Sequence, residues 1–154
     1  DLIMMPCYEW NRCVVAPAGH PVLDEHPLTL EVIAKYPLIT YDFAFAGRSK
    51  INEAFAAKGL QPNVIMTAID SDVIKTYVEL GLGIGLLAAM AFDDQRDVRL
   101  RSADVGHLFA PSTTRIGIRR GMFLRGYMYA FIELFAPHLT RGVMNEAMTQ
   151  GAGT

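Results

Sequence analysis

Cysteine and histidine are scarce in this sequence, which holds two of the first and four of the second. No Cys-x-x-Cys or His-x-x-x-His spacing occurs, so a metal centre has no ligand set to build on and none is expected. Cys7 and Cys13 stand six apart on what reads as one extended segment. That spacing puts both on one strand face, about 20 Å apart by strand rise, beyond the reach of a disulfide. Two buried thiols in a reducing compartment are expected.

Long apolar runs are missing as well. Apolar residues make up 51% of the chain, yet no run approaches the roughly 18 that span a membrane. The richest, Leu80 to Phe92, is short and broken by glycine. The opening Asp-Leu-Ile-Met-Met-Pro has neither a basic leader nor a small-residue cleavage site, and the reading is of a cytoplasmic, soluble protein without a membrane partner. Positive charge is in no surplus: fourteen basic against sixteen acidic side chains leave −2. That argues against nucleic-acid binding by these residues alone, because phosphate contacts need a concentrated positive face.

Catalytic signatures are equally absent. There is no Gly-x-Ser-x-Gly elbow, and neither cysteine opens a helix or neighbours a base. His20, His26, His107 and His138 share no spacing. Gly81, Gly83 and Gly85 follow a helix and precede a strand, the reverse of a dinucleotide fingerprint. Close helix-to-strand packing is their expected role. The chain therefore reads as a binding module, with no cofactor and no catalytic residues.

What is present is an alternation of strands and helices, centred on Val64 to Met90. Val64 to Ile69 reads as a strand, and Asp70, Ser71 and Asp72 suit a helix start. Val73, Ile74, Tyr77 and Val78 form the inward face of that helix, and Ile84 to Met90 is the return strand. Before it, Leu2 to Val15 reads as one long strand interrupted near Pro6, with an abrupt start that reads as a cut inside a larger fold. Thr29 caps a helix to Tyr36, Pro37 to Tyr41 is a strand, and Ser49 to Ala57 a helix. After it, Asp93 to Asp97 reads as a solvated turn and Val98 to Leu100 as a strand. His107 to Phe109 lies near another strand, and Ser112 to Arg120 is an edge strand. Met122 to Phe135 is an amphipathic helix with Phe123, Met128, Phe131, Ile132 and Phe135 apolar, and Leu139 to Met148 a second. Such alternation argues for an α/β fold with a mainly parallel, helix-covered sheet.

In open α/β sheets ligands bind at the carboxyl ends of strands. Thr40, Tyr41 and the loop Phe43 to Arg48 end one strand, and Thr67, Ala68, Ile69 and Asp70 end another. Ala46, Gly47 and Arg48 lead into a helix whose free N–H groups, with the guanidinium, could receive an oxyanion; a surface cation is the plainer role for Arg48. Trp10, the only tryptophan, is either a packing anchor or a wall of that crevice. The helix starts also suit a plain βαβ unit whose caps serve stability alone.

The stretches MMPCYEWNRCVV, TYDFAFAGRSKINEAF, TAIDSDVIKTYVELGLGIGLLA and STTRIGIRRGMFLRGYMYAFIELFAPHLTR resemble the effector-binding domain of LysR-type transcriptional regulators. They resemble most the CysB and Cbl branch, which controls sulfur assimilation, and cover most of Leu2 to Arg141. The resemblance implies a type II periplasmic-binding-protein-like fold, two lobes joined by crossing strands with the effector between them. Leu2 to Cys7 would end lobe I and start the crossover, Tyr8 to Arg119 form lobe II, and Arg120 to Gln150 return to lobe I, which is incomplete here. Thr40, Tyr41, Ala46, Gly47, Arg48, Thr67, Ala68, Ile69, Asp70 and Trp10 would line the site for a small anionic or acetylserine-like effector. It also implies a homodimer or homotetramer, with DNA held only through an amino-terminal winged helix-turn-helix that is not among these residues. The loop departs from the family form. Ala46 replaces a threonine that ligates the effector, a loss of about 1.5 to 3 kcal/mol if nothing substitutes for its charged hydrogen bond, and Asp42 brings a negative charge. A solute-binding protein of a transporter shares the implied fold and would need a secretion signal.

Overall fold

A computed structural model describes residues 1–42 and 46–149, with the backbone but not the side chains of Ala46 and Gly47. The loop residues 43–45 lie outside the described residues. The elements run β1 (Leu2–Trp10), β2 (Arg12–Pro17), α1 (Leu30–Ile33), β3 (Leu38–Tyr41), α2 (Ala46–Ala57), β4 (Val64–Ala68), α3 (Ser71–Glu79), β5 (Ile84–Ala88), β6 (Leu100–Asp104), β7 (Ser112–Arg119), α4 (Gly126–Phe135) and α5 (Arg141–Thr149). They form two units, Trp10–Ser112 (unit 2) and Asp1–Glu9 with Thr113–Thr154 (unit 1).

Unit 2 is built on a five-stranded sheet in the order β4-β3-β5-β2-β6. β3 runs parallel to β4 and β5, and the helical connections α2 and α3 make that direction possible. β2 instead pairs antiparallel with both β5 and β6, so the sheet is mixed rather than mainly parallel. Successive residues of β2 serve opposite faces. Val14 and Ala16 join Ile33, Ile51 and Phe55 in one core. Cys13 and Val15 join Ile74, Val78 and Leu100 in another. Leu38 and Ile39, like Leu86 and Leu87, divide in the same way, so the sheet is covered on both sides.

The central β4–α3–β5 stretch forms nearly as expected. Asp70 caps α3, its Oδ1 accepting the N–H of Asp72 at 2.6 Å and of Val73 at 3.4 Å. Gly81 follows the helix at φ +79°, the left-handed geometry glycine adopts cheaply. At Gly85 a Cβ would lie 2.6 Å from Val15 Cγ2 and 3.0 Å from Val78 Cγ2, so the missing side chain is what lets α3 press on β5. Val73, expected inward, is 40% exposed, and Lys75 takes a buried place instead.

Four other expectations are corrected. Leu2 to Val15 is two strands, with Pro6 inside β1 and the break at Asn11. β1 belongs to a two-stranded sheet, where proline is tolerated on the open side. Asn11 leaves the ladder because its side chain bonds Gly106 O, Phe109 O and the Arg12 N–H. The cysteines therefore lie on different strands; both are free and buried, and burial pushes the Cys13 thiol up to about 12. Val98 and Arg99 form a turn, and the strand expected over Val98 to Leu100 starts at Leu100 and runs to Asp104. α1 stops at Ile33, and α2 starts at Ala46, three residues earlier than Ser49.

Unit 1 contains the β1–β7 pair, α4 and α5 around Met5, Cys7, Ile118, Tyr129, Ile132 and Met144. Of the apolar face expected on Met122 to Phe135, Ile132 is buried, whereas Phe123 is 84%, Phe131 63% and Phe135 40% exposed. Beside it an apolar hollow of about 510 Å³ is lined by Ile116, Met122, Tyr127 and Phe131, among others.

Candidate functional site

The parallel register of β3 and β4 pairs Thr40 with Thr67 and Tyr41 with Ala68. Both sequence-predicted strand ends therefore lie side by side on one edge of the unit 2 sheet. Asp42 joins them, its N–H bonding Ala68 O at 3.1 Å and its carboxylate accepting from Thr67 Oγ1 at 3.2 Å. Ile69 and Asp70 follow at the open end of β4, Ile69 with 74% of its surface exposed.

Two of the predicted residues support this edge from beneath. Thr40 is fully buried, and its hydroxyl donates to Leu86 O at 2.8 Å. Arg48 is 3% exposed; Nη1 donates to Tyr41 O at 2.9 Å and Nε to Asn52 Oδ1 at 3.1 Å. It thus pins the first turns of α2 to the end of β3, and is not a surface cation. Burial lowers its pKa, while nearby Asp42 favours its charge. Tyr41 is half-buried, with Oη accepting the Ala88 N–H at 3.4 Å; burial raises its pKa. The backbones of Ala46 and Gly47 open α2.

Trp10 is half-buried at the amino-terminal boundary of unit 2. Its ring is covered by the guanidinium of Arg12, 5.2 Å from the ring centre. Sequence reasoning missed Arg12 although the signal was there: one charged residue opens the otherwise apolar strand RCVVAP. It also missed Lys75, 4% exposed, which donates to both Asp97 carboxylate oxygens at 3.0 Å and to Ala91 O at 3.0 Å. Its Asp72 neighbour lies at 2.9 Å. The Asp93 to Asp97 turn is accordingly anchored by a buried ion pair rather than merely solvated.

Chemically the edge offers hydroxyls, a phenol, main-chain groups and two carboxylates, a set suited to holding a small polar molecule. Among the described residues no cluster of three or more His, Cys, Asp or Glu could hold a metal ion, and no helix is long and apolar enough to cross a membrane.

The chain matches the family described as LysR substrate binding domain over residues 1–140. It is 56% identical over 152 residues to the HTH-type transcriptional regulator SsuR of Burkholderia cenocepacia, covering 96% of this chain and 49% of that protein. It is 51% identical over 148 residues to the HTH-type transcriptional regulator CysB of the same organism, covering 96% and 47%. The crystal structure of the cofactor-binding domain of the Cbl transcriptional regulator is similar at a TM-score of 0.88 and 43% identity, over 96% of this chain and 65% of that one. The α/β effector-domain fold expected from the sequence is thus the fold of a near relative. These relatives are transcriptional regulators, in line with a binding module rather than an enzyme. The chain spans about half the length of the two Burkholderia proteins.

Proposed function

Because this chain belongs to the LysR substrate binding domain family, we propose that it is the effector-sensing part of a LysR-type regulator of sulfur assimilation. The effector is a small anionic or polar sulfur-pathway metabolite of the sulfate, acetylserine or adenosine phosphosulfate kind. It is taken at the carboxyl edge of the unit 2 sheet by Tyr41, Thr67, Ala68, Ile69, Asp70 and the start of α2 at Ala46 and Gly47, with Trp10 as a wall and Thr40 and Arg48 as supports. The observation that carries this reading is the β3–β4 register, which sets the two strand ends side by side. Family membership and the likeness to SsuR and CysB support the sulfur assignment. Tyr8 to Arg119 is read as lobe II and the flanking segments as parts of lobe I. DNA contact is assigned to the portion of the relatives that this chain does not span, and assembly to a homodimer or homotetramer. Signalling then requires the effector to bind one arrangement of the assembly better than another.

The test is a thermal-shift panel with sulfate, thiosulfate, O-acetylserine, N-acetylserine and adenosine phosphosulfate. A binder at a hundredfold excess over its dissociation constant adds about 2.7 kcal/mol. Arg48→Ala, which releases the Tyr41 carbonyl and the start of α2, is expected to weaken that response. Absence of any shift across the panel, or the same affinity in Arg48→Ala, counts against the site.

A further inference from the structure

A charged residue sunk in apolar surroundings needs a reason. Arg12 is 2% exposed, and burial lowers its pKa while neighbouring Tyr41 favours its charge. Its guanidinium lies 5.2 Å from the centre of the Trp10 ring and 5.8 Å from that of Phe109. Nη2 donates to Ser112 Oγ at 3.1 Å, and Nη1 to Ala110 O at 3.4 Å. In the β2–β5 ladder it stands opposite Ala88, the residue whose N–H reaches Tyr41 Oη. Unit 2 begins at Trp10 and ends at Ser112, so one planar cation touches both its first and its last residue. Guanidinium suits this position better than ammonium, since it stacks on rings and forks its hydrogen bonds with weak hydration.

We propose that Arg12 is a positioning residue of the effector crevice: it fixes the Trp10 ring that walls the crevice and ties that ring to Ser112. This inference rests on the crevice reading above. A molecule pressing on Trp10 is then felt, through one guanidinium, where the chain leaves unit 2. The coupling is local, carried by a stacked ring and one hydrogen bond, both open to mutation.

Trp10 is the only tryptophan in the chain, so its emission reports the contact with and without ligand. The experiment compares the 154-residue chain with Arg12→Met, Arg12→Lys and Ser112→Ala. Each is followed by melting temperature, Trp10 emission, and titration with whichever of sulfate, O-acetylserine or N-acetylserine binds the native chain. Arg12→Met is expected to alter the ligand-free emission and weaken binding roughly 10- to 30-fold, the scale of a lost desolvated cation–π contact. Arg12→Lys is expected to recover melting temperature but not affinity, which separates orientation from mere stability. Ser112→Ala keeps the charge and loosens the anchor, so smaller changes in emission and affinity are expected; it serves as the deciding variant if Arg12→Met does not fold. Native emission and native affinity in a folded Arg12→Met, or full recovery of affinity in Arg12→Lys, would overturn the proposal and leave the crevice intact. Failure of all three probes to bind the native chain would remove the crevice and Arg12's role with it.

Discussion

At the scale of single residues, the ion pair of Lys75 with Asp97 gives the sharpest expectation. Burial opposes the charge on both. Hydrogen bonds that Lys75 donates to Asp72 and Asp97 outweigh it there, and its pKa is raised above 10.5. At Asp97 the Asp93 N–H and Lys75 outweigh it, and the pKa is lowered below 3.8. A lowered carboxylate contributes stability that is complete above its unfolded pKa and is lost as pH falls through the folded one. A raised ammonium contributes below its unfolded pKa and loses it as pH rises through the folded one. The pair therefore supports the fold from about pH 4 to about pH 10.5 and weakens outside both limits. Lys75→Met would take the ammonium from Asp97, whose side chain is 12% exposed, leaving it the Asp93 N–H and the charge of Arg96, at a cost of about 1.5 to 3 kcal/mol. An unfolding free energy from urea titration lowered by that amount at pH 7, with the difference shrinking below pH 4, is the expected result. Nothing in the local pattern announced this pair. Lys75 sits between Ile74 and Tyr77 on a face that periodicity assigns to apolar side chains, and its partner lies 22 residues away.

At the scale of elements, β4, α3 and β5 were legible in the sequence. Their signals are local: a β-branched run, an Asp cap, and a glycine in the left-handed region after the helix. The glycine-rich return was read as close helix-to-strand packing, which Gly85 makes. Gly85→Ala tests this directly. The added methyl would meet Val15 and Val78 at 2.6 and 3.0 Å, and overpacking of this kind costs roughly 1 to 3 kcal/mol. A lowered melting temperature is expected; an unchanged one would show that α3 is free to move away. Elements set by distant partners were read less well. The break at Asn11 depends on carbonyls of Gly106 and Phe109, and the antiparallel course of β2 on β5 and β6. The site divides in the same way. The strand ends that carry it could be read in order along the chain, whereas the burial of Thr40 and Arg48 depends on Leu86, Tyr41 and Asn52.

At the scale of the whole molecule, unit 1 presents a broad apolar face. Phe123, Tyr127, Phe131 and Leu134 are each more than half exposed, and Phe131 stacks on Phe135 with ring centres 6.1 Å apart. Contiguous exposed surface of this kind binds apolar dyes and promotes association, and a net charge of −2 gives little repulsion against it. Replacing Phe131 and Leu134 together by Asp is expected to reduce 8-anilinonaphthalene-sulfonate fluorescence and concentration-dependent light scattering. No reduction would mean that neither dye binding nor association depends on this face.

Unit 2 is one unbroken segment, whereas unit 1 is assembled from residues on both sides of it. Within this chain the partner of the first unit 1 strand, β7, comes only after the inserted segment, so their pairing closes a loop around it. Closing that loop of roughly 100 residues costs entropy that rises slowly with length, and a loop already condensed into a folded sheet costs less still. The inserted segment lowers the cost of that pairing by condensing before it, so the topology favours a nested order of folding, inner unit before outer.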